Sequence, residues 1–362
     1  MRQVDTGPLV GAYYRTGGGS WQALSFSGGQ ATFTASGDYE VAVRCQAGPG
    51  VYTEVYLFKA TASQATFSFI CEIPRSVNSQ TFEVTLPTTI GSYMVQSGDT
   101  VLIGPFSGGY TGSNPVSVNT QLPEGQQDVL VTVLRETGGT APSITPIGYK
   151  LVTGLNVQGS GPFTVNATDW HPFVATRSIT FNPPSGYQGL AGVLFSNNNM
   201  KVATYVGKID RYGILSLPGT GKYLGLALAW DSSNQLFTLE ETGGNDWTPS
   251  LPSPWGAGQF SVNGDELTLS YPGAPGYHIF ASGLLKDSTS GNDLRTQITV
   301  VYSSGDTTTY TLPVVPGLNY ALADPATRVV NLTLTVFRNG IGQNVSWAQR
   351  NVSFTGSSYT LP

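Results

Sequence analysis

Charge is the scarcest property of this 362-residue chain: it has 17 Lys and Arg and 22 Asp and Glu, together 11% of residues. Ordinary globular proteins carry about 25%. The basic residues are scattered, and the densest group, Lys201, Lys208 and Arg211, is offset by Asp210. A nucleic-acid footprint needs clustered Lys and Arg, so no nucleic-acid partner and no anionic membrane surface is expected. Histidine is scarcer still, with only His171 and His278. A Ser-His-Asp triad needs an oriented imidazole, and no Gly-x-Ser-x-Gly elbow occurs. The adjacent carboxylates Glu240 with Glu241, and Asp265 with Glu266, read as solvated strand ends or turns rather than a glycosidase pair. Gly17-Gly18-Gly19 is followed by neither Lys nor a helix, so it is no phosphate loop. The chain therefore reads as a non-enzyme with no catalytic residues and no cofactor. Two cysteines without nearby histidines make no structural zinc site. No apolar run reaches the ~18 residues of a membrane span, and no helical apolar period is sustained.

What is abundant points to β-structure. There are 45 glycines and 23 prolines, with 40% hydrophobic and 11% aromatic residues. That is enough apolar surface for several cores, and disorder normally has little. The runs 51–58, 81–86, 129–134, 297–302 and 330–336 are rich in β-formers. Short strands separated by Gly, Pro, Asn and Ser clusters indicate sandwiches or barrels. Ser304-Gly305-Asp306 predicts a hairpin between 297–302 and 307–312. Asn263-Gly264-Asp265 predicts a type I′ hairpin between 259–262 and 266–270, and Asn339-Gly340 another after 330–337.

An internal repeat is present. Arg15-Thr16-Gly17-Gly18-Gly19-Ser20-Trp21 aligns without gaps with Glu241-Thr242-Gly243-Gly244-Asn245-Asp246-Trp247, and Glu136-Thr137-Gly138-Gly139 shares its first part. A Gly-x-Tyr or Gly-Tyr element followed by Ala recurs at Tyr39, Tyr187, Tyr223 and Tyr277. A single core rarely exceeds roughly 250–300 residues. The Gly/Pro-rich segment 104–115 reads as a linker, and 248–256 as a linker or a long loop. The expected plan is an all-β chain of tandem antiparallel β-sandwich, Ig/fibronectin-like modules at 1–113, 114–235 and 236–362.

Ser20-Trp21-Gln22-Ala23-Leu24, then Thr32-Phe33-Thr34 and Asp38-Tyr39-Glu40-Val41-Ala42-Val43-Arg44-Cys45, resemble a pattern in uncharacterised exported bacterial surface proteins and lipoproteins of the Deinococcus–Thermus type. Residues 121–126 and 251–255 are similar to theirs as well. The resemblance covers about half the chain, in patches. It implies tandem sandwiches of the fibronectin or carboxypeptidase-regulatory kind and no activity. The chain departs from it in having no lipobox cysteine near Met1.

Residues 1–7 lack the apolar core of a signal peptide. The composition, poor in Lys and Glu and rich in Gly, Ser, Thr, Tyr and Asn, is that of secreted β-proteins. An extracellular or cell-surface protein whose leader has been removed is the expectation. Cys45 and Cys71 each close a strand-like run; paired Cys in exported domains are usually oxidised, while two buried free thiols are the alternative. Residues 287–293 gather oxygen ligands in one loop, and Ca²⁺ is the metal such a loop would take. Three functions follow: an envelope, fibre or layer subunit self-assembling, or joining other envelope proteins, by donating a strand from 8–14 or 354–361; a glycan-binding adhesin or accessory module using Trp21, Trp170, Trp247 or Trp255; and a phage tail or decoration protein. The sequons at Asn166, Asn331, Asn344 and Asn351 carry weight only in a glycosylating host.

Overall fold

β-Branched and aromatic residues fit a pleated, half-buried surface. In the computed structural model they build strands and nothing else, and the described residues contain no helix. The structure describes residues 2–3, 9–45, 53–60, 68–69, 79–138, 142–217, 221–271, 277–287, 295–303, 307–318, 322, 324–339 and 345–362. Each of the five runs named above contributes a strand.

Fourteen strands join in one sheet. One half, in spatial order, is β16 (Ala175–Ser178), β19 (Arg211–Ile214), β18 (Thr204–Lys208), β17 (Gln188–Asn197), β20 (Gly221–Trp230), β21 (Asn234–Glu241) and β28 (Val345–Thr355). It continues through β27 (Arg328–Asn339), β24 (Tyr277–Asp287), β25 (Arg295–Ser303), β5 (Thr53–Ala60), β4 (Tyr39–Cys45), β2 (Leu9–Thr16) and β3 (Gln22–Ala23). All its pairings are antiparallel except β5 on β25, which stitches the first 60 residues to the last third of the chain. A four-stranded sheet, β26 (Thr307–Thr311), β23 (Glu266–Ser270), β22 (Phe260–Asn263) and β29 (Ser358–Thr360), packs on it. Leu57, Leu334, Val336, Phe260, Leu269 and Trp255 meet between the two.

Residues 80–165 form a two-sheet unit. β12 (Val116–Thr120), β7 (Gln80–Val84) and β15 (Phe163–Val165) face β11 (Phe106–Gly109), β10 (Thr100–Ile103), β13 (Gly125–Thr137) and β14 (Ser143–Val157). Two short pairs complete the set: β1 (Arg2–Gln3) with β6 (Ser68–Phe69), and β8 (Thr89–Ile90) with β9 (Tyr93–Met94). β13 explains its own sequence. A strand covered on both faces reads as a continuous apolar run instead of an alternating one. Val129, Val131 and Val133 point into the core of the unit, whereas Leu130 and Leu134 point out of it. There they meet Tyr205, Val206, Tyr212 and their neighbours from β18 and β19. The Thr132 hydroxyl between them donates to the Tyr205 carbonyl at 2.7 Å. Asp210 pins the same contact by accepting from the Ser143 hydroxyl at 2.6 Å and the Ile144 N–H at 2.8 Å. Burial opposes its ionisation, but these bonds and Arg211 outweigh that and hold the carboxyl below its ordinary value.

Several expectations change. Hydrogen bonding does not divide the chain at 113/114, because β7 pairs with β12, nor at 235/236, which falls inside β21. Residues 104–115 are no linker: Phe106–Gly109 turns straight back on β10 as a hairpin. β25 and β26 do not pair. The first lies between β24 and β5 in the large sheet, and the second joins β23 in the small one; 304–306, where the turn was expected, lies outside the described residues. The hairpin at Asn263 forms, with Asn263 opposite Glu266. Only Gly264 of its two central residues has positive φ, at 61°, which is the pattern of a type II′ turn and not I′. β27 and β28 also form the predicted hairpin.

The sequence repeat is a conformational repeat. Gly17 and Gly18 have φ of 56° and 75°, and Gly243 and Gly244 have 63° and 75°. The N–H of Gly19 returns to the Thr16 carbonyl at 3.0 Å, and that of Asn245 to Thr242 at 3.3 Å. Both are tight turns needing left-handed backbone at two successive positions, which glycine supplies without a Cβ clash. The Tyr repeat marks strand entries in the large sheet: Tyr39 and Tyr277 open β4 and β24, Tyr187 precedes β17, and Tyr223 is third in β20.

Candidate functional site

The large sheet buries one face of its central strands and leaves the other open. Side chains alternate along a strand, so the register decides what that open face carries. Leu190, Leu228, Phe237, Trp347 and Phe337 are successive partners across β17, β20, β21, β28 and β27. They form one row, roughly 19 Å long at the usual strand spacing. Two residues along lies a second row, Gln188, Trp230, Gln235, Gln349 and Thr335, which is open as far as Gln349 and ends at the buried Thr335. On the other side stand Leu226, Leu239 and Val345.

None of the apolar members belongs to a buried core. Leu190 is 43% exposed, while Phe237, Trp347, Leu228 and Trp230 are half-buried. The Phe237 and Trp347 rings lie 5.0 Å apart at 12°, stacked on each other. Rings that close and that parallel stand up from the sheet, so the pair makes a rigid ridge beside the amide row.

No charged residue falls in these three rows. At one end the Lys222 ammonium sits 3.0 Å from Glu241 in an exposed ion pair. At the end of the amide row, Asp231 turns its carboxylate inward to the N–H groups of Ser233 and Asn234 at 2.7 and 2.6 Å. Burial opposes its ionisation, but those bonds and the Tyr187 hydroxyl prevail and lower its pKa. Burial, then the Asp231 charge, push Tyr187 up to about 12. Beyond the amide row, Thr333 faces Asn351 and Asn331 faces Ser353. Their side chains bond across the strands at 3.0 and 2.7 Å, extending a neutral polar surface.

The four tryptophans singled out from sequence lie elsewhere. Trp255 is 2% exposed and Trp247 6%, and both are interior side chains. The Trp247 indole N–H donates to Glu240 at 2.8 Å, and that of Trp255 to the Ala348 carbonyl at 3.0 Å. Trp21 is half-buried under the Arg15 guanidinium, 4.7 Å from the ring centre. Trp170 packs against the core of the 80–165 unit and donates to the Asn166 carbonyl at 3.1 Å. The structure does not bring the four together. Trp347, Trp230 and Phe237 were missed. The available signal was Leu236-Phe237-Thr238-Leu239, whose apolar residues fall on both strand faces.

Cys45 ends β4, 1% exposed, and is not free. Cys71 and, past Asp287 at the end of β24, the rest of the oxygen-rich 287–293 loop lie outside the described residues, and no metal-binding group of His, Cys, Asp and Glu occurs among those described. The two segments expected to donate strands are already paired: β2 lies between β3 and β4, and β29 is bonded to β22 with Leu361 buried. No described helix is long and apolar enough to cross a membrane. No family model, curated protein or solved structure matches the chain.

Proposed function

We propose that the chain is a non-enzymatic extracellular or cell-surface protein that binds a glycan on the open face of its large sheet. The observation that carries this is the Phe237–Trp347 ridge flanked by Gln235 and Gln349, with no charge among them. A sugar ring has an apolar C–H face and a rim of hydroxyls. Laid on the amide row, it sets the C–H face against the ridge and its hydroxyls within reach of carboxamides, which both donate and accept. The absence of charge suits a neutral glycan. Self-assembly by a donated strand is the weaker reading, since neither segment expected to donate one is spare. Within the same proposal, the Ig/fibronectin-like sandwich plan is best matched by the two-sheet unit of residues 80–165.

Retention on insoluble neutral polysaccharides and on a glycan array tests the reading. The chain is expected to bind, and Trp347→Ala to weaken binding about tenfold or more while still folding, since one well-placed aromatic commonly dominates a contact. An array with no hits, or equal binding by Trp347→Ala, defeats it. Export also predicts a Cys45–Cys71 bridge. Under denaturing, non-reducing conditions iodoacetamide should leave the intact mass unchanged; two added carbamidomethyl groups would show free thiols instead.

A further inference from the structure

A second site, using no residue of the open face, lies where the start of β13 meets the β17–β18 turn. A cleft of about 430 Å³ opens between Gln126, Asp128, Gly154, Asn198 and Lys201. The β13–β14 register slips between Gln127 and Val129, so Thr153 and Gly154 of β14 form a β-bulge opposite Asp128, with Gly154 at φ 61°. Bulges re-aim a side chain and favour functional positions. Asp128 is 8% exposed and its main chain is fixed, the N–H donating to the Asn199 carbonyl at 2.9 Å. Among the described residues its carboxylate receives one hydrogen bond, from the Gly154 N–H to Oδ1 at 2.9 Å, and has no ion-pair partner. The carboxylate is thus tied down through one oxygen, and the other stays accessible as an acceptor on the cleft wall.

The rest of the lining completes the requirement. The Lys201 ammonium is held on the Glu124 carbonyl and reaches no carboxylate among the described residues. The side-chain amides of Gln126 and Asn198 make no hydrogen bond among the described residues, and both residues are exposed. With Asn199, whose exposed amide also lines it, the cleft thus offers one negative group, one positive group and three free carboxamides. Charges of both signs favour a ligand that is neutral overall and rich in groups that donate and accept. We propose that this cleft binds one neutral sugar residue, with Asp128 accepting from its hydroxyls, Lys201 donating to its oxygens, and Gln126 and Asn198 selecting among hydroxyl configurations.

The test follows the side-chain amide resonances of Asn198 and Gln126 during titration with methyl glycosides of glucose, galactose and mannose. Glycine and calcium chloride serve as a zwitterion and a cation for comparison. At least one glycoside is expected to give saturable shifts. Asp128→Asn keeps an acceptor for the Gly154 N–H but loses the charge, and should weaken binding about tenfold. Asn198→Ala, at an exposed turn, should weaken it too without a folding penalty. Trp347→Ala should leave these shifts unchanged, so failure of this site and failure of the open face are read separately. The proposal is overturned by no saturable shift with any glycoside, by shifts with glycine or calcium alone, or by unaltered binding in both variants.

Discussion

Arg135→Met is expected to cost about 3–5 kcal/mol of stability, because it strands a buried carboxylate. Asp99 has no solvent exposure. The Arg135 guanidinium grips it with two prongs, Nε to Oδ1 at 2.7 Å and an Nη to Oδ2 at 2.9 Å. The same nitrogen that reaches Oδ2 also donates to the Met94 carbonyl at 2.7 Å, so the pair ties the β9–β10 turn to β13. The hydrogen bond to Asp99 raises the Arg135 pKa against the opposing pull of burial. Without the guanidinium, Asp99 keeps only the Gln96 N–H at 2.9 Å. A stranded carboxylate has its folded-state pKa raised above the unfolded value, so the variant recovers stability as pH falls through the raised value. The deficit is therefore expected to be widest at neutral pH and to narrow in mild acid. Urea unfolding of both proteins at pH 7 and pH 5 measures this. An equal deficit at both would mean that lost packing, not the bare charge, is responsible. Arg135→Met with Asp99→Leu should regain most of the loss, since replacing a whole buried pair is often neutral.

Local chemistry in the sequence carried the strands and turns, and non-local pairing carried the rest. Thr-Gly-Gly at 16–18 and 242–244 is a turn in both places because two successive left-handed residues leave little choice but glycine. The continuous apolar run at 129–134 named a strand, and its evenness already implied cover on both faces. Partner choice was not legible. Residues 297–302 and 307–312 look like a hairpin because they are adjacent and β-rich, yet they serve different sheets. The strand that pairs with β25 in parallel comes from residues 53–60, too far along the chain for any turn signal to announce it. Likewise 104–115 is rich in turn residues because it makes a tight hairpin, and such composition looks the same as a linker's. Trp21 and Trp247, two of the tryptophans chosen from sequence, stand in a repeat, and a repeat marks a recurring structural need. Trp247 accordingly fills a core where Gly225 leaves room for its ring. Trp347 stands in no motif, since a residue on an open face answers to whatever it touches and not to the fold.

Trp255→Ala should prove as costly as the loss of Arg135, at about 3–5 kcal/mol, through a cavity and not a charge. The ring lies in the Pro-rich stretch 248–256, which resolves as a loop that dives into the core between the large sheet and the small one. It packs edge-on to Tyr271, 5.4 Å between centres at 64°. Its N–H satisfies the Ala348 carbonyl, and its own carbonyl accepts from Arg350 at 3.3 Å. Truncation thus removes the apolar contacts and the indole bond to β28 together, leaving only the main-chain bond from Arg350, and the surrounding sheets are too constrained by their ladders to close the gap. Ala348 lies one residue from Trp347 and points to the opposite face of the same strand. That makes the two tryptophans a matched pair: Trp255→Ala should lower the unfolding midpoint and leave polysaccharide retention by the remaining folded protein near normal. Trp347→Ala should do the reverse. Calorimetry and retention on the same two variants decide it, and a Trp255→Ala protein that melts with the parent would mean the two sheets do not share this ring as their common core.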